Sequence, residues 1–323
     1  MNILFIAPIY FDYEKAITAD LKSRYSKVIF RSEVPFNSAV RFYALRRLLP
    51  KMAEKAQIRY TKQLLEVIKR EKIDRIFILR GYGITEEFLS KVCSQYPLIE
   101  IINYQWDSIQ NNPNGLMISK YAHKNYSFDL RDTENYPQFT HLPLFYTWES
   151  LGEKKKDPDG LRKDIDLLFI GGYHSKRHLI VEKAREDCEK RGKKMVSHVY
   201  LPIGSYLRDR LTTKEISKQG ISFRKISRQK YYDLLCRSRI VLDIQSVTQT
   251  GATIRTFETL SLGRKLVSTN EMLKQENFFI SDNIMLWNPE RELDIEKLLT
   301  TPFNHEKDEF ILTVRQWLNK MGI

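Results

Sequence analysis

"TGATIRTFETLSLGRKLVSTN", residues 250–270, sets two charged side chains, Arg255 and Glu258, into a segment otherwise built like a buried helix. It begins with small residues, carries apolar groups at helical spacing, stops at Gly263 and runs into the strand-like Leu266-Val267-Ser268. A helix over about Thr253 to Leu262 packs Ile254, Phe257, Ser261 and Leu262 inward, which leaves Arg255 and Glu258 three apart on the border of that stripe. Gly251, one turn earlier, would let a ligand reach the helix N-terminus. Arg255 could then neutralise a diphosphate and Glu258 accept both hydroxyls of a ribose. The alternative is an intrahelical ion pair on a solvated edge, worth only about a few tenths of a kcal/mol.

Upstream, "DLLFIGGYHSKR" (166–177) places Gly171 and Gly172 after an apolar strand and before a helix, where glycine permits a tight turn and close approach to a ligand. The full GxGxxG fingerprint is absent, and a simple tight turn explains the pair equally well. "KKMVSHVYLP" (193–202) and "YYDLLCRSRIVLDIQS" (231–246) continue a strand–helix alternation. The first half repeats it: "NILFIAPIY" (2–10), "DRIFILRGYG" (74–83) and "LIEIINYQWD" (98–107) read as buried strands separated by helical stretches. Pro50 should break or kink the long basic helical stretch between the first two. The polar segment 146–163, with three consecutive lysines, one proline and two glycines, reads as a linker. The chain is therefore expected to be α/β, with an N-terminal domain over 1–150 and a second over 151–305. Residues 306–323 read as a final amphipathic helix.

At 323 residues the chain exceeds what one hydrophobic core serves comfortably. Cys93, Cys188 and Cys236 are far apart and fall in no metal or CxxC spacing, which fits a reducing compartment. Neither a signal peptide nor a membrane-length apolar run is expected, so the protein is placed in the cytoplasm. A formal charge of +13 points to an anionic partner: nucleic acid, an anionic bilayer or a phosphorylated small molecule. No zinc finger, RRM-like or helix-turn-helix signature accompanies the charge, so nucleic acid is not the expected partner. His174, His178 and Glu182 could share a helix face as metal ligands, but a basic solvated face is the simpler reading and no metal is assigned. Asp157/Asp159 and Asp164/Asp166 spell DxD in poor positions for holding an ion, and read as structural or solvated carboxylates.

Taken in order, 166–177, 231–246 and 250–269 resemble the nucleotide-sugar half of GT-B glycosyltransferases, most of all the group related to the spore-maturation CgeB proteins and to bacterial lipopolysaccharide and capsule transferases. "INYQWDSIQNNP" (102–113) and "YSFDLRDTENYPQFTHLPLFY" (126–146) resemble the N-terminal blocks of the same group. The resemblance implies two Rossmann-like domains facing across a cleft, a C-terminal helix crossing back to the first, and sugar transfer from a nucleotide sugar to a surface glycan without a bound metal or other cofactor. It implies that Glu258 holds the donor ribose and that Arg255 lies near the diphosphate. By the same resemblance Gly171 and Gly172 line the donor site, Lys225 and Ile226 lie near the base, and Ser246, Gln249, Thr250 and Gly251 form the loop under the phosphates. The second glutamate that marks many retaining GT-B enzymes is missing, because Gly251 stands seven before Glu258.

Arg255, with Arg177 or Lys225, could replace a metal at the leaving diphosphate. On the acceptor side the candidates follow strands: Tyr82 between two glycines, Asp107 beside Trp106, and Asp129 or Asp132. Asp107 is the expected general base for an inverting reaction, or else the cap of the next helix. The basic stretch from Arg41 to Lys72 could rest on an anionic leaflet at the inner face of the membrane, where lipid-linked acceptors are found, or be an ordinary charged face. A non-catalytic nucleotide-sugar or polyanion-binding protein is the competing function.

Overall fold

The computed structural model describes residues 1–148, 163–173, 177–206 and 221–323, apart from the side chain of Ala39. They fall into two units: unit 1 is Met1–Glu153, Ser246–Ala252 and Leu312–Ile323, and unit 2 is Lys154–Gln245 and Thr253–Ile311. Most of the linker-like segment 146–163, with Asp157 and Asp159, lies outside the described residues, as does His174.

Unit 1 opens with β1 (Asn2–Ala7), α1 (Tyr13–Leu21) and β2 (Lys27–Ser32). Two helices follow, α2 (Ala39–Leu48) and α3 (Pro50–Glu71), and then β3 (Arg75–Leu79) and α4 (Glu86–Gln95). The unit continues through β4 (Glu100–Gln105), α5 (Asn114–Ser119), β5 (Lys124–Ser127), α6 (Leu130–Asn135), β6 (Thr140–His141) and β7 (Phe145–Tyr146). The first six strands form one parallel sheet, ordered β2-β1-β3-β4-β5-β6. Ile3, Leu4, Phe5 and Ile6 have no exposed surface, which is why that strand reads as an unbroken apolar run: helices cover both faces. Pro50 breaks the basic stretch into two helices and sits in the first turn of α3, where its missing N–H costs no hydrogen bond.

Unit 2 is built from β8 (Ile165–Gly172), α7 (Arg177–Lys190), β9 (Met195–Tyr200) and β10 (Ile221–Ser222), then α8 (Arg228–Arg237) and β11 (Ser238–Asp243). The quoted segment supplies α9 (Ile254–Leu260) and β12 (Lys265–Ser268), followed by β13 (Ile284–Leu286) and α10 (Glu296–Thr300). Gly263, with φ of +63°, makes the turn between α9 and β12 in the left-handed region that glycine enters at no steric cost. The sheet is parallel and ordered β10-β9-β8-β11-β12-β13, so in chain order within the unit it is 3-2-1-4-5-6, the doubly wound order. Leu167, Phe169, Val181, Ile240, Leu242 and Val267 belong to its core.

The chain end departs from expectation. Residues 306–323 are not one helix: Leu312–Thr313 (β14) pairs in parallel with β7, and only Val314–Met321 (α11) is α-helical. The Thr313–Gln316 capping box fixes where the helix starts, and Gly322 ends it at φ +74°. Trp317, fully buried, meets the rings of Phe77, Tyr104 and Phe145 at 5.8, 4.7 and 4.3 Å, and this aromatic contact seats the helix on unit 1.

A second correction concerns 246–252. A single continuous second domain over 151–305 is not what the chain builds, because Ser246–Ala252 packs as part of unit 1. The buried carboxylate of Asp129 accepts from the Thr250 N–H and hydroxyl and from the Gly251 N–H (3.2 Å). Ser108 Oγ donates to the Thr248 carbonyl at 2.8 Å, and Gln249 Nε2 to Asp107 Oδ1 at 2.7 Å. A Cβ on Gly251 would stand 2.3 Å from the Phe128 carbonyl oxygen, so this glycine makes room for protein backbone and not for a ligand. Gly251→Ala is therefore expected to cost about 1–3 kcal/mol, read as a fall in melting temperature; an unchanged melt would show that the loop shifts freely.

Candidate functional site

In a doubly wound sheet the strand order reverses beside the first strand, and ligands bind in the crevice at the carboxyl ends there. In unit 2 that place lies between β8 and β11, which end at Gly172 and Asp243. Asp243 accepts from Arg255 Nη1 at 2.7 Å, Thr253 Oγ1 at 2.7 Å and Thr256 Oγ1 at 3.3 Å. The Arg255 guanidinium also stands 5.8 Å from the centre of the Phe169 ring, itself fully buried in β8. The cation is thus held by a carboxylate and an aromatic face, yet its side chain remains 21% exposed and can meet a ligand.

Further groups singled out in the sequence lie at the carboxyl ends of the strands of this sheet. Arg177, at the start of α7, donates to the Ile244 carbonyl at 3.2 Å, just past the end of β11. Lys225 is exposed in the loop before α8, beside the partly buried Ile226, and its Nζ lies 5.8 Å from the ring centre of Tyr200, the last residue of β9. Gly171 and Gly172 do not form a tight turn. They are the last residues of β8 and pair with Val199 and Tyr200. Their roles differ: a Cβ on Gly171 would press on the Phe169 ring at 2.8 Å, whereas a Cβ on Gly172 would meet nothing within 4 Å. The space beside Gly172 is therefore open, whereas that beside Gly171 is filled by protein.

Glu258 is not on a solvated border, and it makes no ion pair with Arg255. It is fully buried, and its Oε2 accepts from the Tyr231 hydroxyl at 2.7 Å, tying α9 to α8. Burial first, and then the adjacent Glu258 charge, push the Tyr231 phenol well above its ordinary value, so it stays a donor. This geometry presents no Glu258 surface to a ribose and makes the carboxylate an internal brace. The buried set of α9 is Thr256, Phe257, Glu258, Thr259 and Leu260, while Ile254 and Ser261 are only partly buried. Ser246 Oγ shares a hydrogen bond with Thr248 Oγ1 at 3.0 Å, and with Gln249, Thr250 and Gly251 it belongs to unit 1, where Asp107 and Asp129 take the polar atoms of the other three. The residues that sequence reading missed are Asp243 and Phe169. A carboxylate closing the apolar run "IVLD" was the available signal for the first; nothing marks the second.

Unit 1 has its own reversal point, between β1 and β3. Arg80 and Gly81, after β3, hold φ of +69° and +70°. The non-glycine residue there is held by an ion pair with Glu33, which is fully buried and also accepts the Tyr82 N–H at 2.9 Å. The Tyr82 ring packs tilted against that of Tyr43, centres 4.7 Å apart, and lines a cavity of about 540 Å³ with Phe42, Arg46, Gln57, Glu86 and Asn114. Trp106 and Asp107 follow β4, outside that lining. Trp106 meets the edge of Tyr13 at 6.2 Å, and Asp107 Oδ1 accepts from Asn111 Nδ2 at 2.9 Å as well as from Gln249. No helix begins at Asp107, so the capping alternative does not hold.

Asp132 is 5% exposed and accepts from the Ile109 N–H and the Ser127 hydroxyl. Burial pushes its carboxyl up to about 6. An aspartate in the unfolded chain titrates at about 3.9, so the folded protein holds this proton more tightly. The resulting stability is complete below about pH 4 and lost as pH rises through about 6. The fall in melting temperature between pH 5 and 7.5 should shrink by ~5 °C in Asp132→Asn; identical pH profiles would contradict this.

Asp164 and Asp166 lie at the opposite, amino end of β8. Arg237 and Lys194 bind Asp164, holding its carboxyl well below the usual range, while Arg239 faces Asp166 at 3.9 Å. His178 stacks on Tyr173 at 4.7 Å. Among the described residues no group of three or more His, Cys, Asp or Glu is placed to hold a metal ion.

No family model matches the chain, and neither does any curated protein. Solved structures do match over its whole length. The N-terminal domain of Candida albicans trehalose-6-phosphate phosphatase aligns with a TM-score of 0.62 at 11% identity, covering 99% of this chain and 95% of that one. OtsA in its apo form gives 0.61 at 11% identity, covering 99% and 98%. UDP-GlcNAc 2-epimerase from Methanocaldococcus jannaschii, in complex with UDP-GlcNAc and UDP, gives 0.53 at 10% identity, covering 100% and 99%. With its two parallel sheets and C-terminal helix on unit 1, the chain has the GT-B fold.

Proposed function

We propose that this protein is a glycosyltransferase that moves a sugar from a nucleotide-sugar donor to a glycan acceptor of the bacterial surface, such as lipopolysaccharide or capsule, without a bound metal. The observation that carries this reading is the Arg255 clamp: a partly exposed guanidinium fixed by Asp243 and Phe169 at the strand reversal of a doubly wound sheet. The likeness to an epimerase solved with UDP-GlcNAc and UDP supports a nucleotide sugar as the ligand.

In transfer, the bond between the anomeric carbon and the diphosphate breaks, and its electrons leave with the diphosphate. Arg255, assisted by Arg177 and Lys225, stabilises the charge that develops there. An acceptor hydroxyl forms the new bond and gives its proton to a base, for which Asp107 is our candidate in unit 1. Tyr82 and its cavity, with Trp106 after β4, are the candidate acceptor side.

The test is a thermal-shift screen against nucleoside mono- and diphosphates, followed by donor turnover. Gly172→Leu should melt like the parent, because nothing lies within 4 Å of the new Cβ, and should lose the nucleotide shift. A shift that survives the substitution places the ligand elsewhere. A nucleotide shift with no turnover of any donor would favour a binding module. Salt-sensitive polyanion binding with no nucleotide shift would favour a nucleic-acid-binding protein.

A further inference from the structure

We infer that the α2–α3 hairpin of unit 1 is a docking element for an anionic bilayer surface. This deepens the transferase reading by naming where its acceptor is met, but the binding itself does not depend on that reading.

The sequence over 39–63 carries seven cations and one carboxylate, Glu54. On α3, Lys51, Lys55, Arg59 and Lys62 are exposed and recur at intervals of four, four and three, so they form one stripe. Ala53, Gln57, Thr61, Leu64 and Ile68 form the buried stripe roughly opposite. Charge alone would make this an ordinary wet face. The apolar side chains at the corner decide otherwise: Leu48, Leu49 and Met52 are 75%, 50% and 56% exposed, and Arg47 and Lys51 are exposed beside them. Pro50 opens α3 one residue after α2 ends its turn, which brings Leu48, Leu49 and Met52 together at the same end of the hairpin.

Apolar groups held out at a tip beside exposed cations match the layering of a lipid surface, with acyl chains beneath anionic headgroups. Nucleic acid would use the cations but give no partner to the leucines. A second copy of this chain would cover the leucines but bring its own seven cations against them. Among the described residues no helix is long and apolar enough to cross a membrane, so the contact would be interfacial. The neighbouring cavity is lined by the same two helices through Phe42, Arg46 and Pro50. An acceptor with a lipid tail could therefore present its head there while the tail stays in the bilayer.

The experiment is co-sedimentation of the full chain, at physiological salt, with phosphatidylglycerol-containing vesicles and with pure phosphatidylcholine vesicles. Strong binding to the first and weak binding to the second is expected. Leu48→Ser/Leu49→Ser/Met52→Ser and, separately, Arg47→Glu/Lys51→Glu should each weaken binding about tenfold or more. All of these side chains are exposed, so both variants should keep the parent melting temperature and nucleotide-induced shift. That separates a failure here from a failure of the donor assignment. Absence of anionic-vesicle binding would overturn the inference. So would vesicle binding that the apolar substitutions leave intact, or a dimer in sedimentation velocity that they dissolve without any vesicle binding.

Discussion

Arg255→Met is expected to lower sugar transfer by about 10²–10³-fold, the usual cost of losing one preorganised group that meets charge only as it develops. The substitution also strands Asp243, which is 3% exposed and keeps only the two threonine hydroxyls as donors among the bonds described. An uncompensated buried carboxylate costs about 3–5 kcal/mol, so part of any activity loss could be a loss of folded protein. The double variant Arg255→Met/Asp243→Asn separates the two effects. It removes the stranded charge and should recover most of the melting temperature, yet transfer per folded molecule should remain as low as in the single variant. If the double variant regains the parent rate, the guanidinium is an internal ion pair and not the diphosphate ligand.

Asp129→Ala should destabilise the protein by about 3–5 kcal/mol, measured as the midpoint shift in urea. Its carboxylate is 1% exposed and gathers four donors: the N–H groups of Arg131, Thr250 and Gly251 and the Thr250 hydroxyl. Alanine removes the carboxylate acceptor from two buried backbone N–H groups, and water cannot readily replace it. Asp129→Asn keeps one acceptor oxygen and should cost less. A loss below about 1 kcal/mol would mean that 246–252 is not anchored by this carboxylate. With Gly251→Ala, the pair tests whether this segment is structurally part of unit 1.

What the sequence determined by itself was the architecture. Short unbroken apolar runs such as "NILFIA" and "LLFI" read as strands buried on both faces, and their alternation with helical stretches argues for parallel sheets. Pro50 and Gly263 punctuate the chain through constraints on a single residue's φ, so both could be read without a structure. Arg255 could also be singled out, because a charge set into an otherwise apolar helical stretch shows in the spacing alone.

Only the tertiary structure decided which partners each polar group takes. Glu258 looked like a surface ligand by spacing, but α8 passes over it and Tyr231 binds it, a contact between residues 27 apart. Gly251 looked like room for phosphate, but Phe128 fills the space, and Asp129 draws Thr250 and Gly251 into unit 1 from more than 120 positions away. Local periodicity reports which face of an element is apolar; it carries no term for a hydrogen bond whose donor and acceptor are brought together only when the sheets form. The strand order places Arg255, Asp243 and Phe169 side by side, and that adjacency is a property of the fold alone.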